Sequence, residues 1–365
     1  MYQNRKILIC TGGTGGHVIP AINFANYLIE QGYECSLILD KRGNKYAKKF
    51  KGKISIISSS HLSGNIFFKI KSIINLMIGF YQSFYFIIKL RPKNCISFGS
   101  YATFMPLLII LILKLFTKVD LYIHEQNSII GKANLFFLPY TKYIFTNFEF
   151  INNLDEKFFY KKFYVGLPLG RKLNLDFSKI IKPNEKKIIF VYGGSQGAVN
   201  VIKNFLLMLN TLNYKHIASI KLIIQSPKEF FYTLKQLLKN FKIDYEINDF
   251  FKNINEILEI TNIAITRAGA GTINDLIRYR IPSIIFPLPH SIYNHQFFNA
   301  KYLADKNGAI LMDEVNFNLD HNSVIFKELI TNIEKQKLMK KSLEQITIPE
   351  ANQIMIKKIL YENKK

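Results

Sequence analysis

Tryptophan is missing altogether from the 365 residues, cysteine occurs three times, and acidic side chains number 26 against 49 basic ones. Each shortage removes a class of protein. Cys10, Cys35 and Cys95 are odd in number, far apart and free of any C-x-x-C spacing. They make neither a disulfide framework nor a zinc site and read as buried thiols in a reducing compartment. No Gly-Lys-Ser/Thr follows any glycine turn, which excludes a P-loop NTPase. No Asp-x-Asp pair occurs, so no metal site of that kind is expected. The first apolar run, Ile7 to Cys10, is too short for a secretory signal, and a cytoplasmic location is expected. Long uninterrupted apolar runs are scarce too. Ile73 to Ile88 carries Asn75, Gln82 and Ser83, and Phe104 to Leu113 has Pro106 near its start and Lys114 at its end. Neither supplies the ~20 strongly apolar residues of a spanning helix, so buried helices are expected at both.

What is present is size, grease and positive charge. The length suits two domains, and 48% hydrophobic residues suffice for two cores. The net charge of +23 is spread over both halves, with a dense run at Lys41, Arg42, Lys45, Lys48, Lys49, Lys51 and Lys53. Such a balance favours polyanions: nucleotide phosphates, anionic lipid headgroups or nucleic acid. Phe67, Phe68, Phe80, Tyr81, Phe84, Tyr85 and Phe86, flanked by Lys69, Lys71 and Lys89, suit an interfacial patch.

Strand and helix patterns alternate throughout, which predicts a parallel sheet in each half. Strands are expected at Lys6–Cys10, Cys35–Leu39, Cys95–Phe98, Leu121–His124 and Tyr143–Thr146. In the second half they are expected at Lys187–Tyr192, Lys221–Ile224, Ile263–Thr266 and Ser283–Phe286. A helix from about Pro20 should bury Ile22, Ala25, Leu28 and Ile29 and stop at Gly32; another runs from Ala198 to about Asn210, and a last one from Ala351 to about Tyr361. Val165-Gly-Leu-Pro-Leu-Gly170 interrupts any periodicity and reads as the linker.

Two of these strands run into glycine turns, Gly12-Gly-Thr-Gly-Gly-His17 and Gly193-Gly-Ser-Gln-Gly197, and a third turn is Arg267-Ala-Gly-Ala-Gly-Thr272. A strand that ends in small residues and opens onto a helix leaves backbone N–H groups free for phosphate. The dinucleotide pattern G-x-G-x-x-G fails at the first turn, where Val18 stands in place of the last glycine, and at the second. A redox enzyme with Asp40 on a ribose is thus a poor fit.

Together, Gly12-Gly-Thr-Gly-Gly-His17, Ser97-Phe-Gly-Ser-Tyr101, His124-Glu-Gln-Asn127, Gly193-Gly-Ser-Gln-Gly197 and Asn294-His-Gln-Phe-Phe-Asn-Ala300 resemble the MurG family of glycosyltransferases, in the family's order. The resemblance implies a GT-B fold, two facing Rossmann-like domains with parallel sheets and an interdomain cleft. It implies an acceptor and membrane-associating domain over 1–165, a UDP-GlcNAc-binding domain over 166–345 and a terminal helix over 346–365 packing back on the first domain. The implied reaction is inverting transfer of N-acetylglucosamine from UDP-GlcNAc to the C4 hydroxyl of N-acetylmuramoyl pentapeptide on undecaprenyl diphosphate. No cofactor or metal is implied, and UDP-GlcNAc is a substrate. An anionic membrane surface is the implied further partner, at the cytoplasmic face of the inner membrane, and nucleic acid is not one.

The resemblance also assigns residues. Ser195, Phe251, Ala270, Gly271, Thr272, Ile273, Asn274, Asp275 and Gln296 would hold the nucleotide sugar, with Phe251 beside uracil or in the core. Thr14, Gly15, Gly16 and Asn127 would meet the donor sugar from the first domain. Arg171 stands one position past the family's hinge arginine. Gly12, Gly13, His17, Gly99, Ser100 and Tyr101 would bind the acceptor. His17 and Glu125 are the acid–base candidates, His17 on the acceptor and Glu125 as the base or its support, the alternative for Glu125 being an anchoring carboxylate. A GT-B enzyme acting on another lipid such as diacylglycerol is the nearest rival, and a basic nucleic-acid-binding protein is a distant one.

Overall fold

The computed structural model describes residues 6–60, 65–170, 186–193 and 198–361. Contacts divide the chain into two compact units: 1–172 joined by 349–365, and 173–348. Each unit holds one wholly parallel sheet. In the first unit the strands are β1 (Lys6–Cys10), β2 (Glu34–Asp40), β3 (Lys53–Ile57), β4 (Asn94–Ser97), β5 (Asp120–Glu125), β6 (Tyr143–Thr146) and β7 (Lys162–Tyr164), in the order 3-2-1-4-5-6-7. The second has β8 (Lys187–Tyr192), β9 (Ile220–Gln225), β10 (Asp244–Asn248), β11 (Ile263–Thr266), β12 (Ser283–Ile285) and β13 (Ala309–Leu311), in the order 10-9-8-11-12-13. The two parallel sheets expected for this fold class are present. Four strands go unread in the sequence: β3, β7, β10 and β13. All four are edge strands and, with less surface to bury, carry short or weak apolar runs; β7 is three residues long with a lysine at its start.

The strand order reverses between β1 and β4 in the first unit and between β8 and β11 in the second. Loops leaving neighbouring strands there diverge to opposite faces, and a crevice opens at the carboxyl ends. Both glycine turns of the sequence leave from these strands.

The central strands are fully buried on both faces, as parallel sheets require. The helix after β1 begins at Gly15, not near Pro20, and runs to Glu30. Pro20 sits inside it because a proline near a helix start forfeits a single intrahelical bond. In the first unit the helix Ala351–Ile356 joins the core, where Ala351, Met355, Ile356 and Ile359 pack with Val18, Ile22 and Leu28. The three cysteines are buried and free, with Cys10 and Cys95 Sγ atoms 3.8 Å apart on adjacent strands.

The helix Ile66–Leu90 departs from expectation. It has 25 residues, long and apolar enough to cross a membrane, yet only Ser72, Gly79, Ser83 and Ile87 are buried. These four form one narrow stripe docked on the first unit. Ser60 Oγ donates to Ser72 Oγ at 2.9 Å, and the Ser58 N–H donates to Gln82 Oε1 at 2.7 Å. Beside this stripe Phe80, Phe86 and Leu90 are half-buried against the core, while Phe67, Phe68, Ile70, Ile74, Tyr81 and Phe84 are exposed. The sequence expectation of a buried helix fails because only this side of it meets the unit, and most of its large apolar residues face away. The shorter helix Phe104–Lys114 does bury Pro106, Leu107, Ile109 and Ile110.

A Cβ at Gly79 would lie 2.1 Å from the Ser58 carbonyl oxygen. Overpacking of this kind costs about 1–3 kcal/mol. Gly79→Ala should therefore lower the melting temperature of the protein in a calorimetric scan. An unchanged melting temperature would mean that the helix is not held where the structure has it.

Candidate functional site

The crevice of the first unit is built from four loops. Leaving β1, Gly12 is fixed by packing, since a Cβ there would meet Ala102 Cβ at 2.5 Å. Gly13 has φ +74°, and its N–H donates to Asp40 Oδ1 at 2.8 Å. Asp40 also accepts from the Gly43 N–H, from Arg42 Nε and from Ser59 Oγ. Burial works against its ionisation, but the bonds from Gly13, Arg42 and Gly43 together hold its carboxyl below the usual range. Asp40 is thus committed to the turn, which removes the ribose role that a redox reading needs.

Thr14 begins the helix without a side-chain cap, and the N–H groups of His17 and Val18 return to its carbonyl. The N–H groups of Gly15 and Gly16 therefore stand ahead of the first intrahelical bonds. Thr14 and Gly16 are exposed. From β4 comes Gly99, with φ +77°, then Ser100, with φ +83°, whose carbonyl holds Thr103. A serine held in that region stores strain, a common property of binding loops. Tyr101 follows, half-buried, at the start of a short helical turn.

The end of β5 supplies His124 and Glu125, and the loop after it Gln126 and Asn127. Glu125 is 1% exposed, and four N–H groups fill both its oxygens. Asn127 N and Nδ2 donate to Oε1, and Gly131 N and Asn134 Nδ2 donate to Oε2. A carboxylate so engaged has no lone pair left for a substrate proton. The anchoring alternative describes it, and the role of base moves off this residue.

His17 is half-buried, and its Nδ1 lies 2.9 Å from the Phe98 carbonyl and 2.7 Å from Gln126 Oε1. Gln126 in turn donates through Nε2 to the His124 carbonyl and to His124 Nδ1. His124 is buried, stacked on Phe98 with centroids 5.0 Å apart, and its Nε2 meets the Gly166 carbonyl at 2.9 Å. Burial pushes its pKa down to about 4, a drop only partly opposed by the bond to Gly166. Gln126 and His124 lie inside a motif plain in the sequence, but no role for them is legible there. Their polar character in a fully buried strand end is the signal that could have singled them out.

In the second unit the helix Ala270–Arg278 starts at the end of β11 with Gly269 as its cap. Its first intrahelical bond runs from Ile273 N to Gly269 O, so the N–H groups of Ala270, Gly271 and Thr272 lack helical partners. A Cβ at Gly271 would meet nothing within 4 Å, which leaves room beside these donors. Ile273 is fully buried, and Asn274 Nδ2 turns back to the Ala270 carbonyl. Both side chains are turned into the unit. Asp275 sits one turn on, where burial pushes its carboxyl up to about 7 against the weaker pull of Arg278.

Gln296, at the start of the helix His295–Ala304, accepts from Ala268 N and Leu288 N with Oε1, tying the loops after β11 and β12 together. Its amide NH2 is the end left for recognition. Beneath it Arg267, 3% exposed, pairs with Glu314 and donates to the carbonyls of Phe286 and Pro287. Asn299 Nδ2 adds a bond to the Ala268 carbonyl. Arg267 stands in a turn visible in the sequence, yet only the fold reveals that it braces three strand ends. Phe251 is 5% exposed and packs edge-on against Phe190. Its ring is packed as a core element, the second of the two places expected for it. Arg171 and Ser195 lie outside the described residues. Among those residues no cluster of three or more histidine, cysteine or acidic side chains could hold a metal ion.

Comparison with known proteins agrees with this geometry. The profile of the glycosyltransferase family 28 N-terminal domain matches residues 7–146, and that of the family 28 C-terminal domain matches 188–354. A protein of Rickettsia canadensis (strain McKiel) is 32% identical over 331 residues, covering 90% of this chain and 91% of its own. A protein of Wolbachia sp. subsp. Drosophila simulans (strain wRi) is 32% identical over 357 residues, covering 97% and 98%. Both are named UDP-N-acetylglucosamine–N-acetylmuramyl-(pentapeptide) pyrophosphoryl-undecaprenol N-acetylglucosamine transferase. Among solved structures, MurG of Acinetobacter baumannii superposes with a TM-score of 0.77 at 21% identity, covering 97% of this chain and 99% of that one. The kitacinnamycin glycosyltransferase does so at 0.71 and 11%, covering 98% and 100%. These structural matches carry the GT-B fold.

His124 yields a test of the crevice's electrostatics. With a pKa lowered from 6.5 to about 4, it stays neutral in the fold while the unfolded chain takes up a proton. Its contribution to stability is whole above pH 6.5 and falls as pH drops toward 4, at up to about 1.4 kcal/mol per pH unit. Denaturant titrations of His124→Asn should show a flatter acid limb than the parent protein. An equally steep limb would place that titration on another group.

Proposed function

The chain belongs to glycosyltransferase family 28, and from that premise we propose that it transfers N-acetylglucosamine from UDP-GlcNAc to N-acetylmuramoyl pentapeptide on undecaprenyl diphosphate. The observation that carries this reading is the identity of about one residue in three, sustained over nine-tenths of the chain, with enzymes named for that reaction. In this reading the second unit holds the nucleotide sugar and the first holds the lipid-linked acceptor.

The C4 hydroxyl of the acceptor attacks C1 of N-acetylglucosamine as the bond from C1 to the UDP oxygen breaks, inverting the anomeric centre. Negative charge grows on the diphosphate. The unpaired N–H groups of Ala270, Gly271 and Thr272 and the dipole of their helix meet it, with Ser195 assigned to the same diphosphate from its place in the family's motif. Asp275 takes ribose hydroxyls, and the Gln296 amide reads the sugar. Thr14, Gly15 and Gly16 offer N–H groups and a hydroxyl, and Gly12, Gly13, Gly99, Ser100 and Tyr101 shape the acceptor's place. His17 accepts the hydroxyl proton, while Glu125 fixes the loop that carries Asn127. Arg171 is assigned to the donor from its position near the family's hinge arginine. The cycle as written draws on no cofactor.

The donor should be UDP-GlcNAc in preference to UDP-GalNAc and UDP-Glc, because a site that hydrogen-bonds a group rejects a ligand that lacks or inverts it. Gln296→Glu keeps an oxygen for Ala268 and Leu288 but loses the amide donor. It should lower kcat/KM by about 10–100-fold, equivalent to roughly 1–3 kcal/mol, without lowering thermal stability. Equal turnover of UDP-GalNAc by the parent protein would sink the donor assignment.

The exposed face of the helix Ile66–Leu90 supports peripheral attachment to an anionic membrane, at the cytoplasmic leaflet where such a lipid acceptor is built. A helix bonded to its unit from Ser72 to Ile87 would have to break those contacts to span a bilayer. Lying flat, it presents Phe67, Ile70, Ile74 and Tyr81 to lipid, with Lys69, Lys71 and Lys89 at hand for headgroups. Each basic residue near an anionic surface adds about 1 kcal/mol, fading with salt. High salt should therefore weaken, but not abolish, co-flotation with vesicles of phosphatidylglycerol and phosphatidylethanolamine. Absence of any flotation at low salt would contradict the assignment.

A further inference from the structure

The buried chain from Gly166 to His17 has only one consistent arrangement of protons. Gln126 must turn its NH2 toward the His124 carbonyl, 2.9 Å away, because an amide oxygen there would face another oxygen. Its Oε1 is thereby fixed toward His17 Nδ1, where the Phe98 carbonyl already lies. Two acceptors within 2.9 Å demand an N–H at Nδ1. The same logic runs outward. The second hydrogen of the Gln126 amide points to His124 Nδ1 at 3.1 Å, so that nitrogen accepts and His124 Nε2 donates to Gly166 O. Every donor meets an acceptor, and neutral His124 satisfies its part.

We propose that Gln126 and His124 are positioning residues that lock His17 in its Nδ1-protonated tautomer and so reserve Nε2 as the atom that takes the acceptor's proton. The inference rests on the reading of His17 as the base. His17 Nε2 has no hydrogen bond among the described residues. Which ring nitrogen carries the proton is set by the partner of the other one, and here the partners are a backbone carbonyl and an amide whose own orientation is buried. The lock serves both charge states. As the acceptor oxygen bonds to C1 and UDP departs with the electron pair of the broken bond, the hydroxyl proton moves to Nε2. The resulting imidazolium keeps its Nδ1–H on Gln126 and Phe98, and Nε2 later returns the proton to water. Neither Gln126 nor His124 exchanges a proton or touches a substrate. Glu125 stands in the same loop, but its four donors hold it to Asn127, Gly131 and Asn134, and Asp40 is held to Gly13 and Gly43. Among the described residues no carboxylate bonds His17.

The direct test is two-bond nitrogen–proton correlation on the full chain labelled with nitrogen-15 histidine, without substrates, with His17 identified by signals lost in His17→Gln. The parent protein should show a protonated Nδ1 and an unprotonated Nε2 at His17 in its neutral form. Gln126→Leu, which leaves only the Phe98 carbonyl at Nδ1, should raise the share of the Nε2–H form, whereas Gln126→Glu as the neutral acid, its O–H toward the His124 carbonyl and its other oxygen toward Nδ1–H, should not. With UDP-GlcNAc and the lipid-linked acceptor, Gln126→Leu should lose about 10–100-fold in kcat while KM for UDP-GlcNAc stays within about twofold, and Gln126→Glu should recover much of the loss. An Nε2–H tautomer in the parent protein, or an unchanged tautomer in Gln126→Leu, overturns the lock. A shifted tautomer with undiminished kcat instead overturns the reading of His17 as base.

Discussion

A parallel sheet pairs the amides of its strands but not those of the loops that leave it where the strand order reverses. At β1 and β4, and again at β8 and β11, neighbouring loops part to opposite faces, and the backbone donors there find no partner in the sheet. Everything this protein is proposed to do depends on that constraint. The turn after β1 and the helix start after β11 offer bare N–H groups at Gly15, Gly16, Ala270, Gly271 and Thr272. An anion is the natural complement to such a cluster. Two units of one architecture give two such places, which suits a reaction with a diphosphate on each substrate.

Bare donors are useful only if the loops that bear them are rigid, and buried charge supplies the rigidity. Asp40 holds Gly13, Glu125 holds Asn127, Gly131 and Asn134, and Arg267 with Glu314 holds the ends of β11, β12 and β13. Each buried charge has lost hydration worth several kcal/mol, and only a full set of partners offsets such a loss. Removing any one would leave its partners unpaired as well as free its loop. The buried charges therefore act on the ligand through backbone geometry rather than by touching it.

Much of this was legible in the residues. The glycine turns marked the strand ends, the alternation of apolar strands and helices gave two parallel sheets, and five short motifs in order gave the family. Edge strands β3, β7, β10 and β13 were hidden because a short or half-solvated strand offers no long apolar run. The largely exposed helix Ile66–Leu90 was misread because three of the four buried residues of its docking stripe are Ser72, Gly79 and Ser83, which no hydrophobic period reveals. Within the site, residue type told less than partnership. Glu125 looks like a base until its four donors are counted, Phe251 like a stacking ring until its burial is seen. Gln126 looks incidental between two more suggestive neighbours, yet its amide settles which nitrogen of His17 is protonated. Hydrogen-bond direction is a property of the assembled fold, and no spacing in the chain encodes it.

The transfer proposed for this chain is of N-acetylglucosamine to a muramoyl lipid. The most direct measurement incubates the protein with UDP-GlcNAc and either undecaprenyl-diphosphate-linked N-acetylmuramoyl pentapeptide or diacylglycerol, and identifies the products by mass spectrometry. The account predicts a lipid-linked N-acetylglucosaminyl-N-acetylmuramoyl disaccharide in the first incubation, formed together with UDP, and no product in the second. A glycosylated diacylglycerol with no disaccharide would contradict it.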